Sequence, residues 1–179
     1  VATAGTETET SLVERARAGD RAAFGELFAQ NERPLAAFAR RRLRPDEDAS
    51  DVAQAVLARA LEEIGSLRDP AAWRGWLYGI ALNECRRRNR QRGRLRRALA
   101  ALEELVLARG PSGLEADETD KVRLAVAKLP ERQRLTVELR VWEGLSVADA
   151  ALALGCTEGT VKANFHHALQ RLRRELEER

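Results

Sequence analysis

The sequence has only two cysteines, Cys85 and Cys156, among its 179 residues, so no disulfide framework can hold the fold together. That scarcity suits a reducing compartment, and the cytoplasm is the expected location. Aromatic residues make up just 4% of the chain and methionine is absent, so a core must be built mainly from Leu, Ala and Val. No apolar run approaches the roughly 20 residues needed to cross a bilayer. The polar start VATAGTETET also lacks the apolar centre of a secretory signal. Membrane insertion and secretion are therefore not expected. The chain has no Gly-rich phosphate loop, no nucleophile elbow and no HExxH pair, so neither an enzyme nor a cofactor is expected. No stretch alternates with period two for long enough to suggest a strand.

What the sequence does have is Ala, Leu, Arg and Glu in abundance, all strong helix formers, and the expected fold class is all-α. The net charge of +3 conceals segregation. Residues 86–97, RRRNRQRGRLRR, place eight arginines in twelve positions with no acid. Residues 45–69 hold seven acids against two arginines, and residues 103–120 hold six acids against one arginine. Charge runs often do no more than solvate a helix face. Eight uncompensated arginines repel one another, however, and call for a polyanion such as nucleic acid.

Helical periodicity organises the chain into two halves. Residues 1–10 are small and polar and are expected to be a disordered tail. Leu12, Val13 and Ala16 mark a short amphipathic segment ending at Gly19, with Asp20 placed to cap the next helix. Phe24, Leu27, Phe28, Leu35, Phe38 and Leu43 mark either one long helix or a pair, with Pro34 as the kink or break. Ala49, Val52, Ala53, Val56, Leu57, Ala60, Leu61 and Ile64 repeat at i, i+3, i+4, i+7, until Gly65 stops the helix. After the turn Gly65–Pro70, a further helix carries Trp73, Trp76, Leu77, Ile80 and Ala81 on one face and runs through the arginine block towards Arg109. GPSGLEADETD, residues 110–120, reads as a short acidic linker between a first domain at 11–109 and a second at 121–179. The second domain has helical signals at 121–128, 131–143, 146–154 and 158–176.

The sharpest local pattern is a helix-turn-helix within 146–174. Ser146 with Asp149 makes a variant capping box, Gly155 suits a left-handed helix end, and Thr157 can cap the helix that follows. Val161, Phe165, Ala168, Leu172 and Leu176 form the buried face of that second helix. Its other face displays Glu158, Lys162, Ala163, His166, His167, Gln170 and Arg171, a set able to meet base edges and phosphates. His166 and His167 lie in the same region as Cys156, but with no CxxC or second cluster no metal site is expected.

These motifs carry a family resemblance. LPERQRLTVELRVWEGLSVADAALALGCTEGTVKANFHHALQRLRREL at 129–176 resembles region 4 of bacterial sigma factors, with the L-P-x-x-x-R, E-G-L-S and G-T-V-K pattern of the extracytoplasmic-function (ECF) group. DASDVAQAVLARAL at 48–61 resembles region 2.2, and WRGWLYGIALNECRRR at 73–88 resembles regions 2.3 and 2.4. A helix-turn-helix of this type also occurs in stand-alone transcription regulators. The W-L-Y-x-I-A-x-N string joined to it is the more specific sign.

The resemblance implies a sigma factor that binds core RNA polymerase and promoter DNA, with an anti-sigma factor as a possible further partner. It implies that Asp48, Asp51, Val52, Gln54 and Leu57 face the clamp helices of polymerase, although Ala55 and Leu57 replace the family's usual acid and aromatic. Leu67, Arg68 and Asp69, in the loop, and Asn83 would capture a flipped base of the melted minus-ten element. Trp73 and Trp76 would either stack on bases or pack in the core. Arg86, Arg87, Arg88 and Arg90 would hold phosphates. On the minus-thirty-five duplex, Glu158, Lys162, Ala163, His166 and His167 would lie at base edges, with Thr160 and Arg171 as backbone anchors.

Overall fold

A computed structural model describes residues 8–43, 48–100 and 118–177. Among these residues every regular element is helical, and no helix is long and apolar enough to cross a membrane. The chain divides into two compact units, the first made of residues up to Asn89 and the second of most of those beyond.

The first unit opens with α1 (Glu9–Arg17), which starts inside the expected tail because the Thr8 hydroxyl accepts the Ser11 amide at 3.3 Å. Gly19 then turns the chain at φ 95°, a conformation that favours glycine. Asp20 Oδ1 takes the amides of Ala22 and Ala23 at 2.9 and 3.1 Å, while its Oδ2 is held by Arg15. Arg15 and these two amides keep the Asp20 carboxyl below its ordinary pKa.

From that cap, α2 (Arg21–Arg40) runs unbroken through Pro34. A proline inside a helix costs about 3 kcal/mol by removing one backbone bond and crowding a carbonyl. Here the buried stripe Ala23, Phe24, Leu27, Leu35, Phe38 and Ala39 continues on both sides of it. Fully burying one Leu or Phe gives about 1.5–3 kcal/mol, so several together outweigh the proline. The buried Asn31 side chain satisfies itself locally, donating to the Leu27 carbonyl at 2.8 Å.

Helix α3 (Ala49–Glu63) packs on α2 through Val52, Ala53, Val56, Leu57 and Ala60, all essentially inaccessible. Leu61 departs from the expected stripe: it lies on the solvent side and is 50% exposed. Two short 3₁₀ turns, Ile64–Ser66 and Pro70–Ala72, lead into α4 (Trp73–Ala100). Buried Trp73, Leu77, Tyr78, Ala81, Leu82 and Cys85 line the first half of α4, and Tyr78 meets Phe38 of α2 edge to face at 5.2 Å.

The second unit contains α5 (Glu118–Ala127), α6 (Glu131–Val137), all but the last turn of α7 (Val147–Leu154), and α8 (Glu158–Glu177). The expected linker 110–120 lies largely outside the described residues, and α5 begins within its last positions. Val126, Leu129, Val137 and Ala168 form a small buried cluster, packed by the partly buried Phe165 and Leu172. The helix expected over 131–143 changes character midway. Residues Glu138–Trp142 form a π-turn, closed by the Glu143 amide on the Glu138 carbonyl at 3.1 Å. Gly144 at φ 63° then reverses the chain and Leu145 enters the core, where its carbonyl accepts Arg140.

Candidate functional site

The candidate residues fall on three surfaces: the outer side of α3, the turn into α4 with the basic length of that helix, and the outer side of α8.

On α3, Asp48 is the N-cap, its carboxylate accepting the Ser50 amide at 2.8 Å. Asp51 and Gln54 are exposed one turn apart and continue through Ala58 to Leu61. These residues make an outward strip that is acidic at the N-terminal end and apolar at the other. Val52 and Leu57 do not belong to it. Both are fully buried, and they shape the strip only by holding the helix. Leu61 is the member that periodicity assigned to the core. Lying one turn beyond Leu57, it has a spacing that fits burial, so the sequence held no sign of its exposure.

In the turn, Leu67 is only 5% exposed, with its amide on the Ile64 carbonyl at 3.1 Å. Its side chain closes the core under the turn instead of pointing outward, so no base can stack on it in this conformation. Gly65, Ser66, Arg68 and Asp69 are the exposed members, and Asp69 caps the next turn by accepting the Ala71 amide at 2.9 Å. Asn83, the expected partner of Leu67 around a base, is exposed on α4, whereas Leu67 is buried. Trp73 is buried at 1% exposure and belongs to the core. Trp76, half-buried, lies 5.6 Å from it and keeps one edge towards solvent.

The arginines that follow are not equivalent. Arg87 and Arg90 are exposed, whereas Arg86 and Arg88 are half-buried. Glu84, two residues before the block and missing from the charge count over 86–97, is buried at 7% exposure. Its carboxylate accepts Arg87 Nε and Nη2 at 2.8 and 2.6 Å and Arg88 Nε at 3.0 Å. Arg87, with Arg88 behind it, keeps the Glu84 carboxyl below its ordinary pKa even though burial pushes the other way. The i, i+3 and i, i+4 spacing from Glu84 was the signal that could have found this cluster. One turn on, Asn89 Nδ2 donates to the Arg42 carbonyl at 3.1 Å, and the Arg42 guanidinium sits 4.8 Å over the Phe38 ring. That ties α4 to the end of α2.

The helix-turn-helix assembles as its residues require. Ser146 Oγ accepts the Asp149 amide at 3.0 Å and donates to Asp149 Oδ2 at 2.6 Å. Gly155 takes φ 61°, and Thr157 Oγ1 accepts the Thr160 amide at 3.2 Å. Each cap contributes about 1 kcal/mol. Thr160 is half-buried and its hydroxyl lies 2.9 Å from that of Thr157, so it belongs to the cap as much as to the outer surface. Glu158, Lys162, Ala163, His166, His167, Gln170 and Arg171 are all exposed. Lys162 lies 3.8 Å from Glu158, and His166 Nε2 is 2.9 Å from Gln170 Nε2. Val161 and Ala168 are buried and Phe165 and Leu172 partly so. Leu176, expected in the buried face, is 43% exposed. Among the described residues no group of three or more His, Cys, Asp or Glu could hold a metal ion.

Comparison with known proteins covers the same two stretches. The family model Sigma-70 region 2 matches residues 27–95, and Sigma-70, region 4 matches residues 119–172. The chain is 38% identical over 167 residues to the ECF RNA polymerase sigma factor SigM of Mycobacterium tuberculosis, covering 88% of this chain and 79% of that protein. It is 28% identical over 173 residues to the ECF RNA polymerase sigma-E factor of Escherichia coli, covering 90% of each. Among solved structures, CnrH in complex with the cytosolic domain of CnrY superposes with a TM-score of 0.68 at 27% identity, over 96% of this chain and 98% of that one. RpoE in complex with the anti-sigma factor NepR, from Bartonella quintana, superposes at 0.66 with 26% identity, over 86% of this chain and 96% of that one.

Proposed function

We propose that this chain, which belongs to the extracytoplasmic-function (ECF) RNA polymerase sigma factors, docks on core polymerase through the outer strip of α3 and holds promoter DNA with α4 and α8. A sigma factor directs polymerase to promoters by binding alone, and opening of the duplex draws on that binding energy. Work beside polymerase places the chain in the cytoplasm, and an anti-sigma factor is a further partner to expect.

The observation that carries this reading is the pairing, in one chain, of a capped helix-turn-helix with a basic α4 that follows an acidic, partly apolar α3 strip. A stand-alone regulator needs only the helix-turn-helix and has no use for the other two surfaces. Run-off transcription with core polymerase and a library of promoter fragments tests it directly. Transcripts that depend on the added chain support the assignment. DNA binding without any gain in transcription would favour the regulator.

On α3, Asp51, Gln54 and Leu61 are the contacts we assign to polymerase, and Asp48 serves them by starting the helix. Replacing Asp51 and Gln54 together by alanine is expected to weaken binding to core polymerase, measured by titration of labelled chain. Duplex binding by the helix-turn-helix should stay as it was. Loss of DNA binding with polymerase binding intact would refute the assignment.

In the second unit, α8 lies with its exposed N-terminal half against base edges in the major groove. Lys162 can donate to guanine acceptors, and Ala163 can meet a thymine methyl. Lys162→Ala and His166→Ala should each cost about 1–3 kcal/mol on the preferred upstream element and relax selectivity there. Selection from randomised duplexes measures both. A uniform loss on every sequence would make these residues phosphate anchors instead.

A further inference from the structure

We propose that Glu84 is a positioning residue that aims Arg87 and Arg88 at one stretch of phosphate backbone. The inference rests on the reading of α4 as a DNA surface and goes beyond it, since it gives an acid a favourable part in binding a polyanion.

Simple electrostatics predicts the opposite. A carboxylate beside a run of arginines should repel phosphate, and removing it should tighten binding. The geometry argues against that outcome. Glu84 is 7% exposed, and both of its oxygens are engaged by guanidinium N–H groups at 2.6–3.0 Å. Its charge is therefore spent locally and does not face the solvent where DNA would lie. The contact with Arg87 is a fork through Nε and Nη2, which leaves Nη1 for another acceptor on a side chain that is half exposed. Arg88 is held by Nε alone, so both of its terminal nitrogens remain for another acceptor.

A free arginine loses rotamer freedom when it grips a phosphate, and that loss subtracts from affinity. These two side chains have already lost it to Glu84. The base beneath them is fixed as well, because Asn89 bonds the Arg42 carbonyl and so ties this length of α4 to the end of α2. The result is a rigid double guanidinium edge on α4.

The test measures anisotropy of a fluorescein-labelled single strand of random sequence with the full chain across a salt series. The variants are Glu84→Gln, Glu84→Asp, Arg87→Gln/Arg88→Gln, and the last combined with Glu84→Gln. Both Glu84 variants should weaken binding roughly three- to tenfold, the aspartate because it keeps the charge but not the reach. In the chain lacking Arg87 and Arg88, Glu84→Gln should add no further loss, which a general effect on folding would not reproduce. Tighter binding by Glu84→Gln, with steeper salt dependence and an unchanged aspartate variant, would make Glu84 a mere counter-charge and overturn the proposal. An additional loss in the combined variant, accompanied by a lower thermal midpoint, would also overturn it. If Arg87→Gln/Arg88→Gln itself leaves binding unchanged, the reading of α4 as a phosphate surface fails, and the proposal fails with it.

Discussion

Replacing Trp73 by alanine should unfold the first unit before it tells anything about DNA. The side chain is 1% exposed at the start of α4, and large-to-small replacement of a buried tryptophan costs about 3–5 kcal/mol. That is a large share of the roughly 5–15 kcal/mol that holds a typical domain together. Trp73→Phe should be much milder for two reasons. It keeps most of the ring volume, and it removes an indole N–H that has no acceptor among the described residues. A buried donor without a partner itself costs about 1–3 kcal/mol, so its loss offsets part of the lost packing. Trp76→Ala should cost less stability and act instead on melted DNA, because that ring keeps one edge in solvent. Thermal unfolding followed by far-ultraviolet circular dichroism separates the three. A Trp73→Ala chain with an unchanged midpoint would show that the ring is not part of the core.

The second large effect is expected from replacing Arg86, Arg87, Arg88 and Arg90 together by glutamine. Because Arg87 and Arg88 also neutralise the buried Glu84 carboxylate, the change is made together with Glu84→Gln, so that it reads out phosphate contacts and not a stranded acid. Each single-strand phosphate contact contributes a slope of about 0.7 in log affinity against log salt, or roughly fivefold at ~0.1 M salt. Loss of even three such contacts weakens binding on the order of a hundredfold and flattens the salt dependence by about two units of slope. Closed duplex and premelted template should both be affected, since phosphates are present in each. Filter binding over a salt series gives both numbers. An unchanged slope would mean that the block does not touch the backbone of the DNA.

The helix-turn-helix could be read directly from the sequence because each of its corners depends on one residue's local chemistry. Ser146, Gly155 and Thr157 act within four positions of themselves, and no distant contact is needed to decide what they do. The continuous α2 was less legible. Pro34 carries a local penalty, and the sum that outweighs it is burial against α1 and α3, which a linear reading cannot total. The same limit applies to Leu61 and Leu176, whose spacing fits a buried stripe although both side chains are exposed. The π-turn at Glu138–Trp142 left no trace in periodicity, since one wide turn shifts the register by a single residue. For the candidate site, residue type was a good guide on α8, where every polar position named is at the surface apart from half-buried Thr160. It was a poorer guide on α3 and in the following turn, where Val52, Leu57 and Leu67 align with contact positions but serve the interior. Resemblance transfers a position, and only packing decides which way its side chain points.

The outer face of α8 has a consequence for how such a chain can change over generations. Lys162, Ala163, His166 and His167 stand in solvent, while Val161 and Ala168 carry the packing on the other side. Surface substitutions of this kind usually shift stability by no more than about 0.5 kcal/mol. Target preference and foldedness are therefore governed by separate sets of letters in one helix. A lineage that duplicates this gene can try new upstream elements at those four positions without first passing through unfolded intermediates. The arginines around Glu84 lack that freedom, because there each change of charge also disturbs a buried partner.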